Sequence, residues 1–136
     1  MREILFRGKR VDKGEWTYGY YCPKPYSHFP CEATIFPSET IDRDWHGERV
    51  EPDTIGQFTG LIDCNGVKIF EGDIVKYFDS WIGKVEYDSD SALFAINFVD
   101  FVDGDYSYFG EVACGFCEVI GNIYDNPELM EVSGND

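Results

Sequence analysis

The sequence predicts a mostly β protein, on three observations. Aromatic residues make up 17% of the chain, and Tyr and Phe favour the pleated, half-buried surface of a sheet. Short runs of alternating apolar and polar residues recur along the chain, bounded by Gly, Pro, Asn and Asp. No amphipathic helical pattern longer than two turns interrupts them. With 136 residues, the chain has the size of one domain, or of one compact unit with two closely packed lobes, and can bury a core without disulfides.

The elements follow in order. Residues 2–21 read as two strands, "EILFRGKRV" and "WTYGYY", joined by "DKGEW", a Gly-containing hairpin loop. Residues 22–53 hold Pro23, Pro25, Pro30, Pro37 and Pro52, and read as an irregular excursion with one short strand near Ala33 to Phe36. "TIGQFTGLID" is a strand running into Cys64-Asn65-Gly66, where Asn-Gly predicts a type I′ turn with φ > 0 at both central residues, and "VKIF" is its partner. Glu71-Gly72-Asp73 is a further turn. "IVKYF" and "GKVEYD" are antiparallel strands joined across Asp79 to Ile82, a twisted hairpin of the kind used by SH3-like barrels, which bind more often than they catalyse. "ALFAINFVDFV" is a strand buried on both faces or bent at a bulge, and "EVACGFCEVIGNIY" supplies one or two final strands. "NPELM" suits one helical turn with Pro at its first position, before a polar tail. The organisation expected is a single unit: residues 1–53 as hairpin and irregular excursion, 54–126 as a barrel-like β core, and 127–136 as turn and tail.

The formal charge is −15, and its distribution carries more information than its total. Every Lys and Arg lies at or before Lys84, so residues 85–136 carry twelve Asp and Glu and no cation. Residues 1–13 have the opposite bias, with Arg2, Arg7, Lys9, Arg10 and Lys13 against Glu3 and Asp12. The general field repels nucleic acid and anionic lipid. Met1 leads into a charged stretch without a signal-peptide core or a run of membrane-span length, and a cytoplasmic location without membrane association is expected. The five cysteines, Cys22, Cys31, Cys64, Cys114 and Cys117, are an odd number and read as reduced thiols.

Three stretches resemble a known family. "REILFRGKRVDKGEWTYGY", "TIGQFTGLIDCNGVKIFEGDIVKY" and "CEVIGNIYDNPELM" look, in that order, like the blocks of YopX-like proteins, small proteins of bacteriophages and prophages, and cover a little under half of the chain. The resemblance implies a β-rich protein with an SH3-like barrel element and carries over no catalytic residue, because the matched positions are turn and core types. Gly8, Gly14, Trp16 and Gly19 would shape the first hairpin; Gly56, Gly60, Asn65, Gly66, Gly72 and Asp73 the middle; and Ile120, Gly121, Asn122, Ile123, Asn126, Pro127 and Leu129 the closing strand and turn. Residues 22–53 and 88–113 fall between the blocks, where individual specificity is expected.

Candidate chemistry is sparse. Cys114-Gly115-Phe116-Cys117 is a CxxC pair able to ligate zinc or exchange thiols, but the further ligands a zinc site needs would come from Cys22, Cys31, His28 or Cys64, and Cys22 and Cys31 are badly spaced for a knuckle. In a strand context the pair reads as incidental thiols. Asp100, Asp103, Asp105 and Glu111 lack the register of a calcium loop and read as a solvated acidic loop. His28 and His46 stand without a nucleophile and acid at any recognised spacing. Rings interleaved with Arg and Lys in the first block could serve single-strand binding, but read as the core side of a hairpin. We therefore expect no enzyme, no cofactor, no metal and no catalytic residue. The expected function is an accessory role of a phage or prophage protein through protein contact, with a host protein or as a homo-oligomer. The alternatives are a small-ligand or zinc-binding module, and an acidic DNA mimic or nucleic-acid-binding protein.

Overall fold

A computed structural model describes residues 3–22, 33–37, 47–78, 81–98, 106–108 and 115–130. Among them, eleven strands and two short 3-10 turns occur, so the chain is mostly β. It divides into two compact units, residues 1–58 and 59–136.

The first unit opens with the expected hairpin. Strands β1 (Phe6–Lys9) and β2 (Trp16–Cys22) pair antiparallel from Phe6↔Gly19 to Lys9↔Trp16. β2 pairs with β3 (Thr34–Pro37), which pairs with β4 (Glu48–Arg49). β4 lies in the stretch expected to be irregular; Val11 N–H donates to Arg49 O at 3.0 Å and Glu51 N–H to Lys9 O at 2.8 Å, so residues 49–51 also meet the end of β1. A two-residue strand leaves almost no alternation to read, and its pairing is a property of the fold rather than of local pattern. The 3-10 turn Pro52–Thr54 follows, with the Thr54 hydroxyl accepting from Lys9 N–H at 2.9 Å. Ala33, Ile35 and Val50 form the core, with Phe6, Tyr21 and Ile55 packed on it. Gly19 is required by close approach: a Cβ there would stand 2.1 Å from the Phe36 carbonyl oxygen across the β2–β3 pair.

β5 (Gly56–Ile62) pairs with β1 through Phe6↔Gln57 and Arg7↔Gly56, completing the strand order β4-β3-β2-β1-β5 of the first unit. Its burial slips by one where Phe58 and Thr59 are both buried, and Gly60 takes φ 91°, a conformation that glycine adopts without steric cost. Beyond the slip, in the second unit, β6 (Lys68–Phe70) lies beside β5. The remaining strands, β7 (Asp73–Tyr77), β8 (Trp81–Asp88), β9 (Leu93–Phe98), β10 (Tyr106–Tyr108) and β11 (Cys117–Asn122), form an antiparallel sheet in the order β10-β9-β8-β7-β11. Its core joins Ile69, Val75, Val85, Ile96, Phe98 and Cys117, flanked by Leu61, Tyr77 and Val119. Full burial of such side chains is worth about 1.5–3 kcal/mol each.

Two expectations change. Asn65-Gly66 does not form a type I′ turn, because only Gly66 has positive φ (83°). The connection is a three-residue loop closed by Asp63 N–H to Val67 O at 2.8 Å, with Gly66 N–H donating to Asp63 O at 3.1 Å. The Asp63 carboxylate selects this loop: Oδ1 accepts from Asn65 N–H and Val67 N–H, each at 2.8 Å. Nor do the described strands close into the expected SH3-like barrel. A barrel needs its outer strands to pair, whereas β11 meets the 63–67 loop on its outer side, through Val119 N–H to Asp63 Oδ2 at 2.9 Å and Cys64 N–H to Cys117 O at 3.0 Å. The sheet stays open.

The C-terminal block closes as expected, by a 3-10 turn at Pro127–Met130. Asn122 Oδ1 accepts from Tyr124 N–H and Asp125 N–H, while Asn126 Oδ1 accepts from Asn122 N–H. A Cβ on Gly121 would stand 2.6 Å from that Asn126 oxygen, which explains the Gly-Asn…Asn spacing.

Asp63 gives a graded test. In Asp63→Asn one oxygen can still serve Asn65 and Val67, while the amide group faces Val119 N–H; the expected cost is about 1–2 kcal/mol. Asp63→Ala removes all three acceptances and should cost about 3 kcal/mol. Urea midpoints should fall in that order at constant slope, and an alanine variant within about 0.5 kcal/mol of wild type would contradict the assignment.

Candidate functional site

Of the residues singled out for chemistry, the structure describes Cys22, Cys64 and Cys117. Cys31, Cys114, His28, His46, Asp100, Asp103, Asp105 and Glu111 lie outside the described residues. Cys117 is fully buried in the second core, Cys64 is exposed on the 63–67 loop, and Cys22 ends β2. Among the described residues no three His, Cys, Asp or Glu side chains form a metal-binding group. No described helix is long and apolar enough to cross a membrane.

The rings of the first block are placed differently from expectation. Phe6 and Tyr21 meet at 5.6 Å on the core side. Trp16, Tyr18 and Tyr20 alternate with Tyr21 and so occupy the opposite face of β2, where Tyr18 and Tyr20 are exposed. Arg7 stacks 4.6 Å above the Trp16 ring and Lys9 lies 5.8 Å from it. Alternation was legible in the sequence, but which of its two faces met the core was not.

The same unit holds an open cleft of about 200 Å³ lined by Val11, Asp12, Gly47, Glu48 and Arg49. Arg10 Nε and Nη2 donate to the two Asp12 oxygens at 3.0 and 2.8 Å, and Nη2 lies 3.1 Å from Glu48 Oε2. The hydrogen bond to Asp12 raises the Arg10 pKa above its ordinary value, and the same bond holds the Asp12 carboxyl below the usual carboxylate range. These are tied charges at a hairpin turn rather than a catalytic pair.

The feature with the strongest functional signature is aromatic. β7 ends at Tyr77, Phe78 follows, and β8 begins at Trp81, which stands opposite Tyr77 in the ladder. Phe116 precedes β11, and its carbonyl accepts from Phe78 N–H at 3.1 Å. Phe78 and Phe116 stack at 4.5 Å with planes 19° apart; Tyr77 and Trp81 lie 6.0 Å apart at 21°. Phe78 stands edge-on to Tyr77 and to Trp81, at 82° and 85°. Two near-parallel ring pairs therefore meet at right angles and make an aromatic corner, with Tyr77 anchored on buried Phe98 at 5.9 Å. Phe78, Trp81 and Phe116 are 49%, 41% and 50% exposed, which is unusual for large rings that meet at one residue, here Phe78.

Phe78 also has φ 53°. A bulky side chain in the left-handed region costs on the order of 1–2 kcal/mol, so the backbone carries strain where the rings are most exposed. Strain of this kind clusters at ligand clamps and functional loops. In "CGFC" the sequence draws attention to the two thiols, read as incidental, rather than to the ring between them. The available signal was four large aromatics in two turn-flanking segments, "YFDSW" and "GFC".

Comparison with known proteins places the fold. The family model for YopX protein matches residues 5–131. The chain belongs to the YopX protein family. No curated protein matches it. A similar solved structure is the crystal structure of protein EF1440 from Enterococcus faecalis, with TM-score 0.50 and 24% identity, covering 96% of this chain and 100% of that one. At that identity the likeness concerns the fold alone. The YopX match spans both units and extends through the stretches between the three blocks that resemble the family.

Two measurements follow from this geometry. At ordinary positions Gly is less stable than Ala by about 0.5–1 kcal/mol; at residue 78 the order should reverse, with Phe78→Gly more stable than Phe78→Ala by about 1 kcal/mol in urea, and the ordinary order would show that φ is not held positive. For Asp12, a depressed carboxyl stabilises above its unfolded pKa, and the contribution is lost as pH falls through the folded value. Its titration by NMR should have a midpoint below the usual aspartate value that rises in Arg10→Gln; an unchanged midpoint would remove the pair as its cause.

Proposed function

We propose that this YopX family chain is a non-enzymatic accessory protein of a phage or prophage that works by holding another protein, either a host factor or a second copy of itself, at the aromatic corner. The observation that carries the reading is exposed Phe78 in a strained backbone. A solvent-facing strand end has no folding need for a left-handed Phe, and an Asn or Gly would relieve the strain. Retaining the ring there has value if the ring is used. Exposed aromatics are the side chains most enriched at the energetic centres of protein interfaces, because they bury much area and lose few torsions. The phage or prophage setting rests on the resemblance of the three sequence blocks.

The test compares the wild-type chain with a Trp81→Ala/Phe116→Ala double variant, both as bait in bacterial lysate and by mass in solution. Specific retained proteins, or an oligomer, should be present with the wild type and lost with the double variant, whose fold is checked by melting. The same retained set with both baits contradicts the assignment, as does recovery of bait alone together with a monomeric wild-type mass at high micromolar concentration.

A further inference from the structure

The chemistry of the partner can be narrowed, on the reading above that the corner is a protein-contact surface. Three modes of holding a polypeptide are common: adding a strand to a sheet edge, burying a helix face in a groove, and docking a polyproline II segment on aromatic rings. Strand addition beside Phe116 is obstructed, since the outer side of β11 already meets the 63–67 loop through Cys64 N–H to Cys117 O and Val119 N–H to Asp63 Oδ2. A helix needs apolar anchors extending over two or more turns, whereas the corner is a compact set of four rings. The third mode fits.

Two stacked ring pairs at right angles, Phe78 with Phe116 and Tyr77 with Trp81, offer ring edges and outer faces together with two polar tips, the Tyr77 hydroxyl and the Trp81 indole N–H. Pyrrolidine rings are apolar and flat-sided and bring no N–H donor to strand against them. A polyproline II segment repeats every three residues at about 3.1 Å per residue, so prolines three apart present to the same side about 9 Å apart. Such a segment is already ordered before it binds, and little entropy is lost on docking.

Charge selects among proline-rich segments. Residues 59–136 carry sixteen Asp and Glu against three Lys. Of those lysines, Lys84 lies 3.4 Å from Glu86 and Lys76 faces Glu118 across the β7–β11 ladder. Glu118, two residues from Phe116 and exposed, also accepts from Asn65 Nδ2 at 3.3 Å, so the attraction for a basic segment comes from the net charge of the unit as a whole. We infer that the aromatic corner takes a basic, proline-rich polypeptide segment of a partner protein in the polyproline II conformation.

The experiment is calorimetric titration of the full chain with three synthetic peptides of equal length: Lys-Pro-Pro repeats, Glu-Pro-Pro repeats and Lys-Ala-Ala repeats. The first should bind at least tenfold more tightly than the other two, weaken as salt rises, and lose at least tenfold in affinity in Trp81→Ala and in Phe116→Ala. Leu93→Ala, a change at an exposed apolar residue on another strand, should leave it unchanged. Equal binding of Lys-Ala-Ala would reduce the effect to charge and overturn the assignment of prolines; equal binding of Glu-Pro-Pro would overturn the basic requirement. If no peptide binds while the double variant still loses its lysate partner or its oligomer, the polyproline assignment fails and the protein-contact reading stands. If neither peptide nor partner depends on the rings, both fail.

Discussion

One buried carboxylate organises the second unit. Asp63 is 4% exposed and accepts three backbone N–H groups, two from its own loop and one from Val119, 56 residues later. In a low-dielectric surrounding such bonds are strong when made and costly when missing. The third bond matters most for the architecture because it is long-range. It holds β11 from its outer side, while the ladder to β7 holds it from the other. An edge strand with unpaired backbone groups would invite aggregation; here a loop and its Asp take that place. The position of β11 sets Phe116, and Phe116 stacks on Phe78. A structural hydrogen bond is thus connected to the exposed rings through one strand.

How far this was legible in the sequence depended on range. The first hairpin, the short strand near Ala33 and the Glu71-Gly72-Asp73 turn were readable because their signals are local: period-two alternation and turn residues. The Pro127 turn was readable for the same reason, although it is a 3-10 rather than an α turn. Asn65-Gly66 was misread because Asp63, two residues earlier, draws the Asn65 and Val67 N–H groups to its side chain and changes the loop. β4 escaped because two residues carry no periodicity. The aromatic corner escaped because its defining stack joins residues 38 positions apart in the sequence, and because a strained φ at Phe78 leaves no trace in residue type.

The charge pattern gains meaning from the division into units. Residues 1–58 are near balance, with eight Lys and Arg against ten Asp and Glu, so nearly all of the net negative charge belongs to residues 59–136. The two units also differ in what they expose: Tyr18 and Tyr20 on β2 in the first, and rings within an acidic unit in the second. The partner proposed for the corner follows from that second combination.

The central claim is that the Asp63–β11 link sets the geometry of the rings. Its most direct test is the NMR spectrum of the aromatic side chains in Asp63→Asn, which takes the acceptor from Val119 while leaving one oxygen for the loop. The account predicts that the ring protons of Phe116 and Phe78 shift toward averaged values, although residue 63 is not among the rings. Unchanged ring shifts in a variant that has lost protection of the Val119 amide would contradict it, and would mean that the corner is held by the β7–β11 ladder and the Cys64 N–H to Cys117 O bond without the carboxylate.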